Sequence, residues 1–398
     1  MKNFKQSMPR AAKIFVQLLE KIDYGSLHLI FADGSSQRFS GSKSGVEATL
    51  HLHDMKVCEA LLARGDIGFG ETYINGLWTS PDIAKLIILA VENRTQLSSL
   101  MGGSVLPIAW YRLKHLLRRN TKAGSRKNIL AHYDLGNEFY RRWLDPSMTY
   151  SAALFEQDDT RTLQQAQHSK YERIADNLGI QRDSHILEIG CGWGGFAETA
   201  IGKYGAKLDG VTLSPSQLSY AEARVKKMAL QNRANLSLTD YRDIQGHYDF
   251  IVSIEMFEAV GEQYWTTYFA TLKRLLKPMG KAMVQTITIA DEQFHSYRKG
   301  TDFIQQYIFP GGMLPSVTKF TQLATQAGLR VVNAHPFGSD YAKTLQIWRA
   351  HFEDKWHEIR PLGFDERFRR LWVFYLAYCE GSFLAGSTNV YQIELAHA

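Results

Sequence analysis

The chain has 398 residues, 45% hydrophobic and 22% charged, with a formal net charge of +6. That length supports two domains and a sizeable core, and the composition excludes a disordered or fibrous chain. Three cysteines, Cys58, Cys191 and Cys379, stand too far apart for a disulfide framework or a zinc site, and they fit a reducing cytosol.

The start, MKNFKQSMPRAAKIFVQLLEKI, lacks a long apolar core and a small-residue cleavage site. It reads as an amphipathic helix rather than a signal peptide. Residues 1–110 form a first, α+β unit. Runs 26–31 and 37–40 flank Asp33-Gly34, a hairpin signal, and 46–52 reads as another strand. Helices follow around 57–64 and 81–93, the second with Ser80 as N-cap before Pro81. Its apolar part is too short to span a bilayer and contains Lys85. This unit carries no catalytic cluster. The roles open to it are docking, dimerisation or lipid presentation.

Residues 111–129 read as a basic linker. Arg112, Lys114, Arg118, Arg119, Lys122, Arg126 and Lys127 fall in a stretch without an acid, interleaved with Trp110, Tyr111, Leu113, Leu116 and Leu117. Such a segment is either a solvated linker helix or a surface that attracts anions. Membrane lipid is favoured over nucleic acid, because no nucleic-acid-binding motif accompanies it.

Residues 130–398 alternate strand and helix. Strands are expected at 186–190, 206–213, 236–239, 250–254, 281–289 and 329–334, with helices at 196–204, 263–276 and from Pro215 to about residue 230, capped by Ser214. Tyr341, Leu345, Trp348, Phe352 and Trp356 repeat at helical spacing, and the run 368–376 reads as a buried helix with a basic start. Tyr391, Ile393 and Leu395 alternate as a final strand. The fold expected is α/β, a doubly wound, mostly parallel, seven-stranded Rossmann-like sheet with ligands at the C-terminal strand ends.

The first of these strands carries the most informative residues. Ile186, Leu187 and Ile189 are apolar, and Gly190, Gly192 and Gly195 fit G-x-G-x-x-G, the turn that lets a ligand approach a helix start. Glu188 stands two residues before the first glycine. An acid there repels a pyrophosphate but suits the amino group and sulfonium of S-adenosylmethionine (SAM). A NAD enzyme would also place an acid at the end of the second strand. Thr212-Leu213-Ser214 occupies that place, and Asp209 lies too early in the strand to reach it.

A resemblance now emerges from the motifs. His132-Tyr-Asp-Leu-Gly-Asn-Glu-Phe-Tyr140, Trp143-Leu-Asp-Pro146, Met148-Thr-Tyr-Ser151, Gly190-Cys-Gly-Trp-Gly-Gly195, Gly210-Val-Thr-Leu-Ser214, Asp240-Tyr-Arg-Asp243, Glu255-Met-Phe-Glu258 and Tyr307-Ile-Phe-Pro-Gly-Gly-Met-Leu-Pro-Ser316 resemble the cyclopropane fatty acid synthase family. The resemblance covers about 130 to the C-terminus, and the first unit resembles, less distinctly, the N-terminal domain of the phospholipid-acting members.

The resemblance implies methyl transfer from SAM to a cis alkene of a phospholipid acyl chain, followed by proton loss from a carbocation and ring closure. It implies cofactor contacts from Tyr150, Ser151, Gly190, Gly192, Thr212, Leu213 and Gln217, with Tyr241 and Ile254 along the adenine. It implies bicarbonate as the bound base. Glu258, Ile287 and Tyr341 match the family's base-holding positions, whereas Ala152, Ala259 and Gln285 stand where the family has Cys, His and His. Two products follow. Gln285 and the Ala152 N–H still hold the anion and the ring closes, or the site is retuned and leaves a methyl branch or methylated alkene. Without bicarbonate, Glu258 is the candidate base. Tyr150 and Tyr341 are the aromatics expected to face the cation; Tyr307 and Phe309 read as core. The family also implies a cytoplasmic enzyme on the anionic inner face of the membrane, often a homodimer. A small-molecule methyltransferase is the competing class.

Overall fold

The computed structural model describes residues 8–98, 124 and 135–398. The basic side chains of the stretch 111–129 and the motif residues His132, Tyr133 and Asp134 lie outside the described residues.

The N-terminal helix α1 (Arg10–Leu19) buries Ala12, Phe15, Val16, Leu18 and Leu19. Strands β1 (Tyr24–Ile30) and β2 (Ser36–Ser40) form the expected antiparallel hairpin. Strand β3 (Lys43–Leu52) pairs parallel to β1, and β4 (Trp78–Thr79) completes a sheet ordered β2-β1-β3-β4.

Two helical boundaries differ from expectation. Helix α2 (Lys56–Ile74) runs well past residue 64, through a break at Gly65 with φ 58° and ψ −137°, a conformation essentially open only to glycine. Helix α3 (Ile83–Glu92) is capped by Asp82, which accepts from the Lys85 N–H at 3.3 Å. The Ser80 hydroxyl instead accepts from the Asp82 N–H at 3.1 Å, so Ser80 sets the turn before the cap. Both the four-stranded sheet and the C-terminal domain bury α3, which explains its nearly all-apolar sequence. Helix α4 (Arg94–Ser98) follows.

The second unit opens with α5 (Asn137–Trp143) and α6 (Leu163–Leu178). It then winds through β5 (His185–Ile189), α7 (Gly195–Gly202), β6 (Lys207–Thr212), α8 (Pro215–Lys227), β7 (Ala234–Leu238), β8 (Tyr248–Ile254), α9 (Trp265–Leu275) and β9 (Leu276–Ile289). Short helices α10 (Asp291–Tyr297) and α11 (Phe303–Tyr307) precede α12 (Val317–Gln326) and β10 (Leu329–Pro336). The chain ends with α13 (Gly338–Asp354), α14 (Trp356–Ile359), α15 (Glu366–Leu384) and β11 (Thr388–His397). The seven strands are ordered β10-β11-β9-β8-β5-β6-β7. β11 runs antiparallel to β9 and β10, and the remaining pairs are parallel.

The expected alternation is therefore present, with local differences. β9 begins at Leu276, ahead of residue 281, because Leu276 pairs with Tyr248 across a bulge. Trp356 leaves the stripe of α13 and sits in its own turn, α14. Tyr307 is part of the surface rather than the core, and its hydroxyl meets Glu71 of α2.

Helix α15 joins the two units. It packs on α13, α3 and α2, and Gly381 permits the approach to α3, since a Cβ there would lie 2.7 Å from the Ala84 carbonyl oxygen. One hydrophobic core extends from α1 through α3 and α15 to α13 and the segment 148–155.

An acid pair lies in this junction. Asp66 of α2 accepts from the Phe303 N–H and the Tyr378 hydroxyl, each at 3.0 Å, while Asp302 caps α11 by accepting from the Gln305 N–H at 2.8 Å. Burial raises both carboxyls, and the neighbouring Asp66 helps push Asp302 up to about 7. Raised carboxyls contribute stability that is complete below their unfolded range and is lost as pH rises through the folded value. Thermal stability should therefore fall between about pH 4 and 7. Asp302→Asn keeps a capping side chain and should remove part of that fall, raising Tm at pH 8 by about 2–4 °C for roughly 1 kcal/mol. Parallel Tm–pH curves for the two proteins would refute the assignment.

Candidate active site

The turn after β5 is built from left-handed residues. Gly190 and Gly192 have φ of 85° and 51°. The N–H groups of Gly190 and Cys191 both donate to the Val211 carbonyl at 2.9 Å, which ties the turn to β6. A Cβ at Gly192 would meet nothing within 4 Å. The third left-handed position is Gly194, φ 81°, and not Gly195. Gly195 opens α7, where a Cβ would lie 2.6 Å from the Tyr171 hydroxyl, so this glycine is a packing requirement. Asn137 braces the turn from α5: it accepts from the Trp193 indole N–H at 2.8 Å and donates to the Ser216 carbonyl at 3.2 Å.

A cavity opens at the C-terminal ends of β5, β6 and β8, closed on one side by the strap 148–151. All ten expected cofactor residues line it: Tyr150, Ser151, Glu188, Gly190, Gly192, Thr212, Leu213, Gln217, Tyr241 and Ile254. Thr212 donates to Gln217 at 3.0 Å, which joins the end of β6 to α8. Asp209 stays outside the cavity, held by the Tyr248 hydroxyl at 2.9 Å and by His185 at 3.2 Å. Sequence reasoning missed Asp240 and Arg242, which line the cavity and pair at 2.6 Å.

Glu188 provides a test of fit for SAM. It is 3% exposed, and its Oε2 has no hydrogen-bond partner. Burial holds the carboxyl well above the usual range, with Arg224 opposing. A buried carboxylate oxygen without a partner is costly unless a cationic group meets it. The ammonium and sulfonium of SAM are such groups, so the residues fit SAM.

The expected catalytic residues gather around two carboxylates. Glu255 Oε1 accepts from the Ala152 N–H and the Gln285 side-chain amide, each at 2.8 Å, and Oε2 accepts from the Tyr341 hydroxyl at 2.7 Å. Glu258 Oε1 accepts from the Ile287 N–H and from the Thr286 hydroxyl at 3.1 Å, while its Oε2 has no partner. The sheet register makes this convergence possible. Gln285 lies opposite Ile254 on β8 and Gln392 on β11, and Gln392 donates to it at 3.1 Å.

Glu255 is the principal residue missed from sequence. It was visible three positions before Glu258 in the Glu-Met-Phe-Glu motif. Its conformation was not: φ is 50°, a left-handed geometry uncommon outside glycine that costs about 1 kcal/mol or more. That backbone directs the carboxylate into the cradle assigned to bicarbonate. Three donors of that cradle therefore already hold a carboxylate, and the residues present do not fit an added bicarbonate ion.

The two acids have different electrostatics. Burial raises both, but Lys170, Tyr341, the Ala152 N–H and Gln285 all favour ionised Glu255. Glu258 is pushed up to about 8 by burial and by the Glu255 charge. Of the two, Glu255 is the acid whose neighbours favour the charged form, and Glu258 is the one held protonated by burial and by its neighbour's charge. Glu258 is the expected base, yet Glu255 is the acid that the surrounding donors and cation hold. On the wall beside them, Tyr150 and Tyr341 flank Trp348 with ring centroids 5.3 and 6.2 Å away.

A family model described as mycolic acid cyclopropane synthetase matches residues 120–393. A tuberculostearic acid methyltransferase of Mycobacterium tuberculosis (strain ATCC 25618 / H37Rv) is 36% identical over 374 residues, covering 92% of this chain and 86% of that protein. The cyclopropane-fatty-acyl-phospholipid synthase of Escherichia coli (strain K12) is 35% identical over 355 residues, 87% of each. The crystal structure of a mycolic acid cyclopropane synthase complexed with SAH and CTAB is 33% identical, with a TM-score of 0.64 over 68% of this chain and 97% of that one. The chain thus belongs to the cyclopropane synthase family of SAM-dependent methyltransferases.

Proposed function

We propose that this protein methylates the cis double bond of an unsaturated phospholipid acyl chain and that Glu255 accepts the proton released afterwards. The observation that carries the reading is the Glu255 carboxylate, held by Ala152, Gln285 and Tyr341 where it lines the cavity that fits SAM. Bound SAM supplies an electrophilic methyl group. The alkene π pair forms the new C–C bond, and the neighbouring acyl carbon becomes cationic. Tyr150 and Tyr341, which pack on the buried Trp348, are the aromatic rings offered to that cation. Glu255 then takes a proton, and the freed C–H pair fills the cationic centre.

The product we favour is a methylated alkene. Glu255 is a base anchored at a constrained backbone position, unlike a diffusible ion, and a relative 36% identical is named a tuberculostearic acid methyltransferase rather than a cyclopropane synthase. The 35% identity to the Escherichia coli cyclopropane synthase supports ring closure as the second reading. We place 1–110 as a docking unit, 111–129 as a basic anchor and 130–398 as the catalytic domain, acting at the anionic, cytoplasmic face of the membrane. Among the described residues no helix is long and apolar enough to cross a membrane.

The test is incubation with methyl-labelled SAM and anionic vesicles of unsaturated phospholipid, with soluble amines as a parallel substrate. Lipid acyl chains should gain one CH₂ and then take up hydrogen under mild hydrogenation, whereas a ring would resist it. Vesicle association should weaken as salt rises. Label found only in amines would refute the reading.

A further inference from the structure

One buried cation beside this site has no part in the chemistry above. Lys170 on α6 is fully buried. Its ammonium donates to the Ser151 hydroxyl at 2.5 Å and to Gln167 Oε1 at 2.6 Å. Gln167, one turn earlier, donates to the Ser151 carbonyl at 2.9 Å. The two side chains therefore clamp Ser151 at both its hydroxyl and its backbone. The next residue is Ala152, whose N–H holds Glu255.

Among the described residues no carboxylate forms a direct ion pair with Lys170. A buried ammonium bonded only to neutral oxygens is expensive and calls for a compensating role. The titratable groups that face it are Glu255 at the end of β8, Asp145 ahead of the strap, and Tyr171, whose ring lies 4.6 Å from Nζ. Those that face Glu255 are Lys170, Tyr341 from α13, and Glu258.

We propose that Lys170 is a positioning residue for the catalytic carboxylate: through Ser151 it fixes the strap that grips Glu255, and its charge keeps Glu255 ionised before each turnover. The inference rests on the reading of Glu255 as proton acceptor. Its sign follows from electrostatics. A nearby cation lowers the proton affinity of a carboxylate, here against a desolvation that raises it. Removing the cation leaves Glu255 protonated up to higher pH. Burial also brings the Lys170 ammonium down to about 7, so the two groups titrate as a linked system.

The test compares Lys170→Met, Lys170→Gln and Lys170→Arg in the full chain, measuring kcat against pH on unsaturated phospholipid vesicles. In the Met and Gln variants kcat should fall by up to about 10-fold on the acid side of neutrality. Their acid limb should move up by about one pH unit, with much of the rate recovered near pH 9. Lys170→Arg, which keeps the charge, should hold the limb near its original place. If the Met variant fails to fold, the Gln variant, which can still hydrogen-bond Ser151, carries the comparison. An acid limb unmoved in Lys170→Gln, whatever the loss of rate, makes the lysine merely structural and overturns the proposal. Glu255→Gln separates the two readings. An inactive Glu255→Gln beside an unmoved limb overturns the Lys170 role alone, and a fully active Glu255→Gln overturns both.

Discussion

Replacing Glu255 by Gln should lower kcat by about 10³-fold or more while SAM affinity changes by less than about 3-fold. The substitution conserves shape and removes the only function proposed for the group, proton acceptance. Its amide oxygen can still accept from Tyr341 or from Ala152, but its NH₂ group would then face another donor. Glu258 cannot take over at neutral pH, because burial and the adjacent Glu255 charge hold its carboxyl up at about 8. A variant that empties the cradle, Glu255→Gly, should regain part of the rate with added bicarbonate or acetate, since the donors at Ala152, Gln285 and Tyr341 would be free to hold an external carboxylate. Binding is read by calorimetry and turnover by lipid mass spectrometry. Retention of a tenth or more of the wild-type rate in Glu255→Gln would remove Glu255 from the chemistry.

The second large effect concerns the glycine turn. Gly192→Val should weaken SAM binding by about 100-fold or more, on the order of 3 kcal/mol, with a smaller loss of thermal stability. Gly192 lines the cavity, and a Cβ there projects into open space rather than into protein. The folded chain can therefore accept the added atoms at the cost of a strained positive φ, while the cofactor loses the room they take. Gly195→Val offers the contrast. Its Cβ meets the Tyr171 hydroxyl at 2.6 Å, so the damage should appear in Tm before it appears in affinity. Wild-type SAM affinity in Gly192→Val would mean that the cofactor lies elsewhere.

These predictions differ in how far the residues announced themselves. The glycine turn was readable because its parts are consecutive. An apolar strand, an acid and spaced glycines act within a dozen residues, and local geometry leaves them few alternatives. Even so, which glycines adopt positive φ was a matter of packing: Tyr171 of α6 occupies the space beside Gly195, and Gly194 takes the left-handed position. Ser80 and Asp82 show the same limit at a helix start. Both are good caps, and only the path of the chain decides between them.

The residues alone did not carry helices α5, α6, α10, α11 and α12, but they did carry the seven strands of the doubly wound sheet, the class of cofactor and the ten residues that line the cavity. Each rests on period, on a local motif or on a resemblance carried by contiguous residues. The tertiary structure sets the two acids of the Glu-Met-Phe-Glu motif apart. Glu255 and Glu258 stand three residues apart in one motif and are chemically identical. Their difference comes from Ala152 on a strap, Gln285 on β9, Tyr341 on α13 and Lys170 on α6, segments that meet only once the sheet has formed. Proton affinity depends on burial and on charges brought close in space, and neither is encoded in spacing along the chain.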